Sequence, residues 1–194
     1  MNSITTKNGD GGKTRLYSQE TVDKKDPRIW ACGDIDELVS MLGITYNVVK
    51  NTEEDVFYFT NKHKIAMLND IDYIQKKLFV VCSEIATTEP TLSKLKERID
   101  EVAMKTLDIV RDDLEAKVLP LPKGFILPGH INEISAYLDM CRAISRRCER
   151  IITNLYVEKL NGNKYLLMWM NRLSDYLYLL ARYSEHHNYR LVKE

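Results

Sequence analysis

Three stretches of this chain carry side chains suited to gripping a polyphosphate. The first is Thr5-Thr6-Lys7-Asn8-Gly9-Asp10-Gly11-Gly12-Lys13-Thr14-Arg15-Leu16. Its glycines leave backbone N–H groups accessible, and Lys7, Lys13, Thr14 and Arg15 add donors and positive charge, so the loop can wrap an anion as a nest. The tail Gly12-Lys13-Thr14 imitates a Walker A motif. That motif needs a glycine five positions earlier, where Lys7 stands, and a strand before it, so the P-loop reading fails. An ordinary flexible N-terminus is the competing account.

The second stretch is Asp139-Met140-Cys141-Arg142-Ala143-Ile144-Ser145-Arg146-Arg147-Cys148-Glu149-Arg150. At about 100° per residue Arg142, Arg146 and Arg150 climb one side of a helix, joined there by Asp139 and Glu149. Tyr137, Cys141, Ile144, Cys148, Ile151 and Leu155 take the opposite side. Guanidinium groups stacked about 6 Å apart repel one another unless anions sit among them. Two carboxylates do not neutralise the set, the more so with Arg147 beside it, and arginine forks bind phosphate bidentately. A solvated face of i,i+4 ion pairs is the alternative. The third stretch runs from Met168 to Arg182, where Asn171, Arg172 and Asp175 interrupt an apolar helix. Such groups need partners, either within a helix-to-helix network or at the edge of a ligand.

Other polar residues carry less. His186 and His187 are adjacent and diverge by about 100° on a helix, a poor metal pair, and His63 and His130 are isolated. The four cysteines, Cys32, Cys82, Cys141 and Cys148, form no CxxC pair, and are expected to be reduced thiols of an intracellular protein. The 28 basic and 28 acidic residues cancel, so no overall field favours nucleic acid or membrane. The basic residues have no interleaved aromatic platform for single strands. No apolar run approaches the roughly 20 residues of a membrane span. The N-terminus lacks the pattern of a signal or transit peptide. A cytoplasmic protein is expected, or one of the mitochondrial matrix if a leader has been removed.

These side chains need elements to hold them. Residues 1–28 read as a polar loop segment, residues 29–185 as one helical domain and residues 186–194 as a tail. Ile35, Leu38, Leu42, Thr45 and Val49 form the stripe of a first helix. A second is expected from Asn61 to Thr87, with Ile65 and Leu68 on its stripe. A third is expected from Ser93 to Val118, on Leu95, Ile99, Val102, Leu107, Val110 and Leu114. Three prolines and two glycines in LPLPKGFILPG then break the pattern. A fourth helix is expected over Glu133–Lys159 and a fifth over Lys164–Tyr183. With no convincing strand, the expected fold is all-α, a five-helix up-and-down bundle.

Taken together the motifs resemble the PduO-type ATP:cob(I)alamin adenosyltransferases. The resemblance runs from Thr6 to Arg182 and rests on TKNGDGGKT, on Lys25-Asp26 followed by GDIDELVSMLG, and on FILPG, RAISRRCER and MNRLSDYLYLLAR. It implies a homotrimeric five-helix bundle with active sites between subunits. By resemblance, Thr6, Lys7, Asn8, Gly9, Thr14 and Arg15 would hold ATP, Lys25 would approach the polyphosphate, and Arg146, Arg147, Glu149, Arg150 and Asn171 would complete the site. Asp36 would pair with Arg142 across the subunit boundary. Phe125 would crowd the lower face of the corrin.

The implied reaction is attack of the cobalt of cob(I)alamin on the 5′ carbon of ATP, with tripolyphosphate leaving and Mg²⁺ helping to carry its charge. A reductase and a B12-dependent enzyme are the expected protein partners. The alternative is a catalytically weak nucleotide-sensing or cobalamin-delivery protein of the same fold. The sequence departs from the family where His130 follows Pro128-Gly129, in a spacing from Pro128 to Arg142 one residue longer than usual, and where Asp139 replaces a histidine.

Overall fold

The computed structural model describes residues 5, 7, 9–53, 60–158 and 163–192. Five helices carry the chain: α1 (Pro27–Asn51), α2 (Asn61–Ile85), α3 (Glu101–Val118), α4 (Glu133–Glu158) and α5 (Lys164–Ser184). Several helix starts are written in the sequence. Asp26 accepts from the Arg28 amide at 2.9 Å with Pro27 next in line, Thr60 accepts from His63, and Asp100 accepts from Ala103 at 2.8 Å. Caps of this kind contribute about 1 kcal/mol each.

The helices alternate in direction along the chain and pack in the order α2, α1, α4, α5, α3, which sets α3 and α5 side by side and parallel. Their apolar stripes meet in one core that includes Ile35, Leu38, Leu42, Ile74, Leu78, Leu107, Ile144, Trp169 and Leu173. Asp34 meets Arg147 and Thr45 meets Cys141 across α1 and α4, and Asp139 meets Arg182 and Glu149 meets Asn171 across α4 and α5, so both pairs of helices run antiparallel.

The N-terminal segment is more ordered than a loop. Strands β1 (Lys13–Arg15) and β2 (Thr21–Asp23) pair antiparallel, with Thr14 opposite Val22. Leu16 and Val22 turn inward onto Ala86, beside Ile29 and Cys32, and the Ser18 amide donates to the carbonyl of Ala86 at the end of α2. At the opposite end of the bundle the tail after α5 returns to the α3–α4 connection. The Leu127 amide donates to Arg190 O and the Val192 amide to Phe125 O, each at 2.8 Å.

Expectation and structure differ most at the third helix. Residues Glu89–Lys94 form a 3₁₀ segment and α3 begins only at Glu101, so Leu95 and Ile99 precede it. Ile99 is still buried, whereas Val102 is 70 % exposed and Ala103 and Met104 face the core instead. Ile65 is likewise on the surface of α2, with Met67 inside. On α4 the core position is Ile152, and Ile151 is only half-buried.

Candidate active site on helices four and five

The α4 stripe borders two adjoining cavities. The larger, about 640 Å³, is lined by Arg146, Arg147, Glu149, Arg150, Ile151, Thr153 and Asn154 of α4 and by Asn171 of α5. The smaller, about 360 Å³, lies between α3, α4 and α5, where Arg142 and Arg146 face Arg111, Asp175 and Tyr178. Arg146 belongs to both.

The arginines differ in their partners. Arg147 turns away from the stripe toward α1, where Asp34 accepts from its Nε at 3.0 Å and Glu37 takes an Nη2 hydrogen bond. Burial is the largest single influence and opposes its charge, but the bond to Asp34 and the charges of Asp34 and Glu37 together outweigh it and hold the guanidinium above its ordinary value. Arg142 gives Nε to Asp139 Oδ1 at 3.3 Å. Arg146 and Arg150 are exposed and have no carboxylate within ion-pair distance among the described residues. The sequence suggested three equivalent arginines with Arg147 adding to their charge. In the folded chain two are unneutralised, one is tethered, and Arg147 is spoken for by α1.

Asn171 bridges the helices. Its Nδ2 donates to Glu149 Oε1 at 3.0 Å, and its Oδ1 accepts from Arg172 Nη1 at 3.1 Å. Arg172 in turn reaches Asp108 of α3 at 3.4 Å. The polar interruption of α5 is thus both things the sequence left open, a helix-to-helix network and the edge of a cavity. On the other side of α4, burial pushes the Cys141 and Cys148 thiols up to about 12, so both stay protonated.

The remaining residues singled out in the sequence lie elsewhere on the chain. Thr6 and Asn8 fall outside the described residues. Lys7 (φ +59°) and Gly9 begin two tight turns, closed by Asp10 N to Lys7 O and Gly12 N to Gly9 O, each at 3.2 Å. Thr14 and Arg15 sit on β1, and Lys25 is exposed just before α1. Among the described residues no member of this loop lines either cavity. Asp36 is exposed on α1, and no hydrogen bond or ion pair joins it to Arg142 within the chain. Phe125 is 84 % exposed at the end of the bundle opposite the glycine loop.

A family model described as cobalamin adenosyltransferase matches residues 4–184. The chain belongs to that family. It is 35% identical to a corrinoid adenosyltransferase of Citrobacter freundii, over 95% of this chain and 96% of that protein. A corrinoid adenosyltransferase PduO of the same organism is 32% identical over 95% of this chain, which spans 50% of that longer protein. Among solved structures, a variant PduO-type ATP:corrinoid adenosyltransferase from Lactobacillus reuteri complexed with cobalamin and ATP superposes with a TM-score of 0.80. It is 32% identical, with 99% of this chain and 100% of that one covered.

Within this corrinoid adenosyltransferase, sequence reasoning missed two residues at the foot of α5. Arg182, 2 % exposed, bonds Asp139 Oδ2 through Nη2 at 2.6 Å and pairs through Nε with Glu185 Oε2 at 2.7 Å. An arginine inside the apolar run LYLLAR was the available signal, since a buried guanidinium requires acids beside it. Asp139 had been placed with the arginine stripe, and it is in fact buried against α5.

Proposed function

We propose that the chain transfers the 5′-deoxyadenosyl group of ATP to the cobalt of cob(I)alamin, giving adenosylcobalamin and tripolyphosphate. The carrying observation is the pair Arg146 and Arg150, which border a cavity of about 640 Å³ with no carboxylate in ion-pair distance of either among the described residues. A triphosphate supplies the missing charge. Arg146 and Arg150 would hold it and stabilise the charge that grows on it as the carbon–oxygen bond breaks, the kind of help worth about 2–4 kcal/mol per donor. Cobalt(I) is itself the nucleophile, so no side chain need remove a proton. Glu149, oriented by Asn171, fits the part of a hard oxygen donor toward a Mg²⁺ carried by the triphosphate, with its Oε2 left over from the Asn171 bond. When bound, that ion would offset phosphate charge.

We further infer a homotrimer with composite sites. Among the described residues the glycine loop and the arginine cavities do not meet within one chain, which supports delivery of the loop, with Lys7, Gly9, Thr14, Arg15 and Lys25, from a second copy. Asp36, exposed on α1, would reach Arg142 in the same way. Light scattering should then report three copies of the 22.6 kDa chain. Phe125, on a segment anchored by the tail, would fill the space below the corrin and keep water and a lower ligand from the cobalt. Phe125→Ala should retain ATP affinity and lose turnover about tenfold or more.

The deciding experiment is anaerobic. Protein, MgATP and chemically reduced cobalamin are mixed, the corrin absorbance is followed and tripolyphosphate is assayed. Adenosylcobalamin with one tripolyphosphate per turnover is the expected result. Tight ATP binding without product would move the assignment to nucleotide sensing or cobalamin delivery.

A further inference from the structure

The foot of α4 and α5 holds an unusual balance of charge. Asp139 is 5 % exposed, Arg182 2 % and Glu185 1 %. Arg182 hydrogen-bonds Glu185 through Nη2 at 2.9 Å, lies at ion-pair distance from it through Nε at 2.7 Å, and reaches Asp139 Oδ2 with Nη2 at 2.6 Å. One buried arginine thus faces two buried carboxylates, an arrangement that leaves one negative charge uncompensated and is costly in a low-dielectric interior. Burial pushes the Glu185 carboxyl above its usual range, Arg182 pulls it back, and the charge of Asp139 pushes it up again. Among the described residues the only further cation bonded to the cluster is Arg142, whose Nε reaches Asp139 Oδ1. With it, two acids and two bases close the balance.

That bond also sets a direction. A guanidinium is a rigid planar fork with five donors. Anchored by Nε to a carboxylate that cannot move, it keeps terminal N–H groups to offer elsewhere, and Arg142 lines the smaller cavity beside Arg146. We propose that Asp139 is a positioning residue, which fixes Arg142 through Nε and so aims its terminal nitrogens into that cavity, while Arg182 and Glu185 hold Asp139 itself in place. The inference rests on the adenosyltransferase reading for its kinetic consequence, but not for its geometry.

The charge balance makes the test practicable. Asp139→Asn leaves Arg182 and Glu185 as a neutral pair and keeps an oxygen to accept from Arg182, so the fold is expected to survive. Initial rates are measured for wild type, Asp139→Asn, Arg142→Lys and the double variant, varying ATP and corrinoid separately. Each single variant should lose about tenfold in kcat/KM for the corrinoid, with the ATP KM within about twofold of wild type. The double variant should be no worse than Arg142→Lys alone, because Asp139 acts through Arg142. Losses that multiply, or wild-type kinetics for Asp139→Asn, would overturn the proposal.

A second measurement does not depend on activity. In ¹⁵N-arginine-labelled protein the Arg142 Nε–H, assigned by its disappearance in Arg142→Lys, should exchange slowly with water and become fast in Asp139→Asn, while the buried Arg182 Nε–H stays slow. An unchanged Arg142 signal rejects the positioning role even if the wild type makes no adenosylcobalamin, which would refute the function alone. Should Asp139→Asn fail to fold, Asp139→Glu moves the carboxylate by one methylene and carries the same two comparisons.

Discussion

Helices α4 and α5 present two charged regions barely three turns apart, built on opposite principles. At one end Arg182 is sealed between Asp139 and Glu185, within 3 Å of both carboxylates, and Arg142 closes the charge balance at 3.3 Å. Along the middle, Arg146 and Arg150 stand at a cavity with no acid in reach among the described residues. The first region joins two helices and is complete as the chain folds. The second is complete only when an anion enters. Arginine content alone does not separate them; burial and the count of nearby carboxylates do.

The contrast can be broken by single substitutions. The largest effect is expected at the sealed end, where Arg182→Ala strands two buried carboxylates and should cost about 3–5 kcal/mol of stability, read from urea unfolding. An unchanged midpoint would mean that water already reaches the cluster. Next is Arg146→Ala, expected to leave the unfolding midpoint nearly unmoved while lowering kcat/KM by about 2–4 kcal/mol in transition-state terms. Near-normal turnover would remove Arg146 from its role. Asn171→Ala leaves Glu149 without its donor, and about 1–2 kcal/mol should appear mainly in ATP affinity by calorimetry. The smallest change is expected for Arg147→Ala, which breaks a partly exposed link to Asp34 and Glu37. Under about 1 kcal/mol of stability and little turnover should be lost. A large loss of ATP affinity there would return Arg147 to the binding stripe.

Much of this was legible in the sequence. The helical spacing located α1, α2, α4 and α5 closely, because each carries a stripe broken by clear punctuation such as Pro27 or Asn163. The start of α3 was misread because Leu95 and Ile99 continue the three- and four-residue rhythm without being helical. Asp100, three residues ahead of the Ala103 amide it caps, was the overlooked start signal. The ribbon escaped because strands of three residues carry almost no alternation, and only Leu16 and Val22 hint at an inward face. The arginine stripe could be read from i,i+4 steps, which are local. The capture of Arg147 by Asp34 could not, since that pair is 113 residues apart and depends on which helices become neighbours. The same limit hid Asp139 from its partner Arg182, 43 residues on.

Arg146 borders both cavities, and a side chain shared in this way makes their occupancies a matter of linkage. Any guest in the larger space that draws the guanidinium toward itself changes the free energy of filling the smaller one. Thermodynamic reciprocity requires the reverse effect to be equal. A factor by which a guest in one space alters the affinity of the other must therefore reappear, unchanged, when the order of filling is reversed.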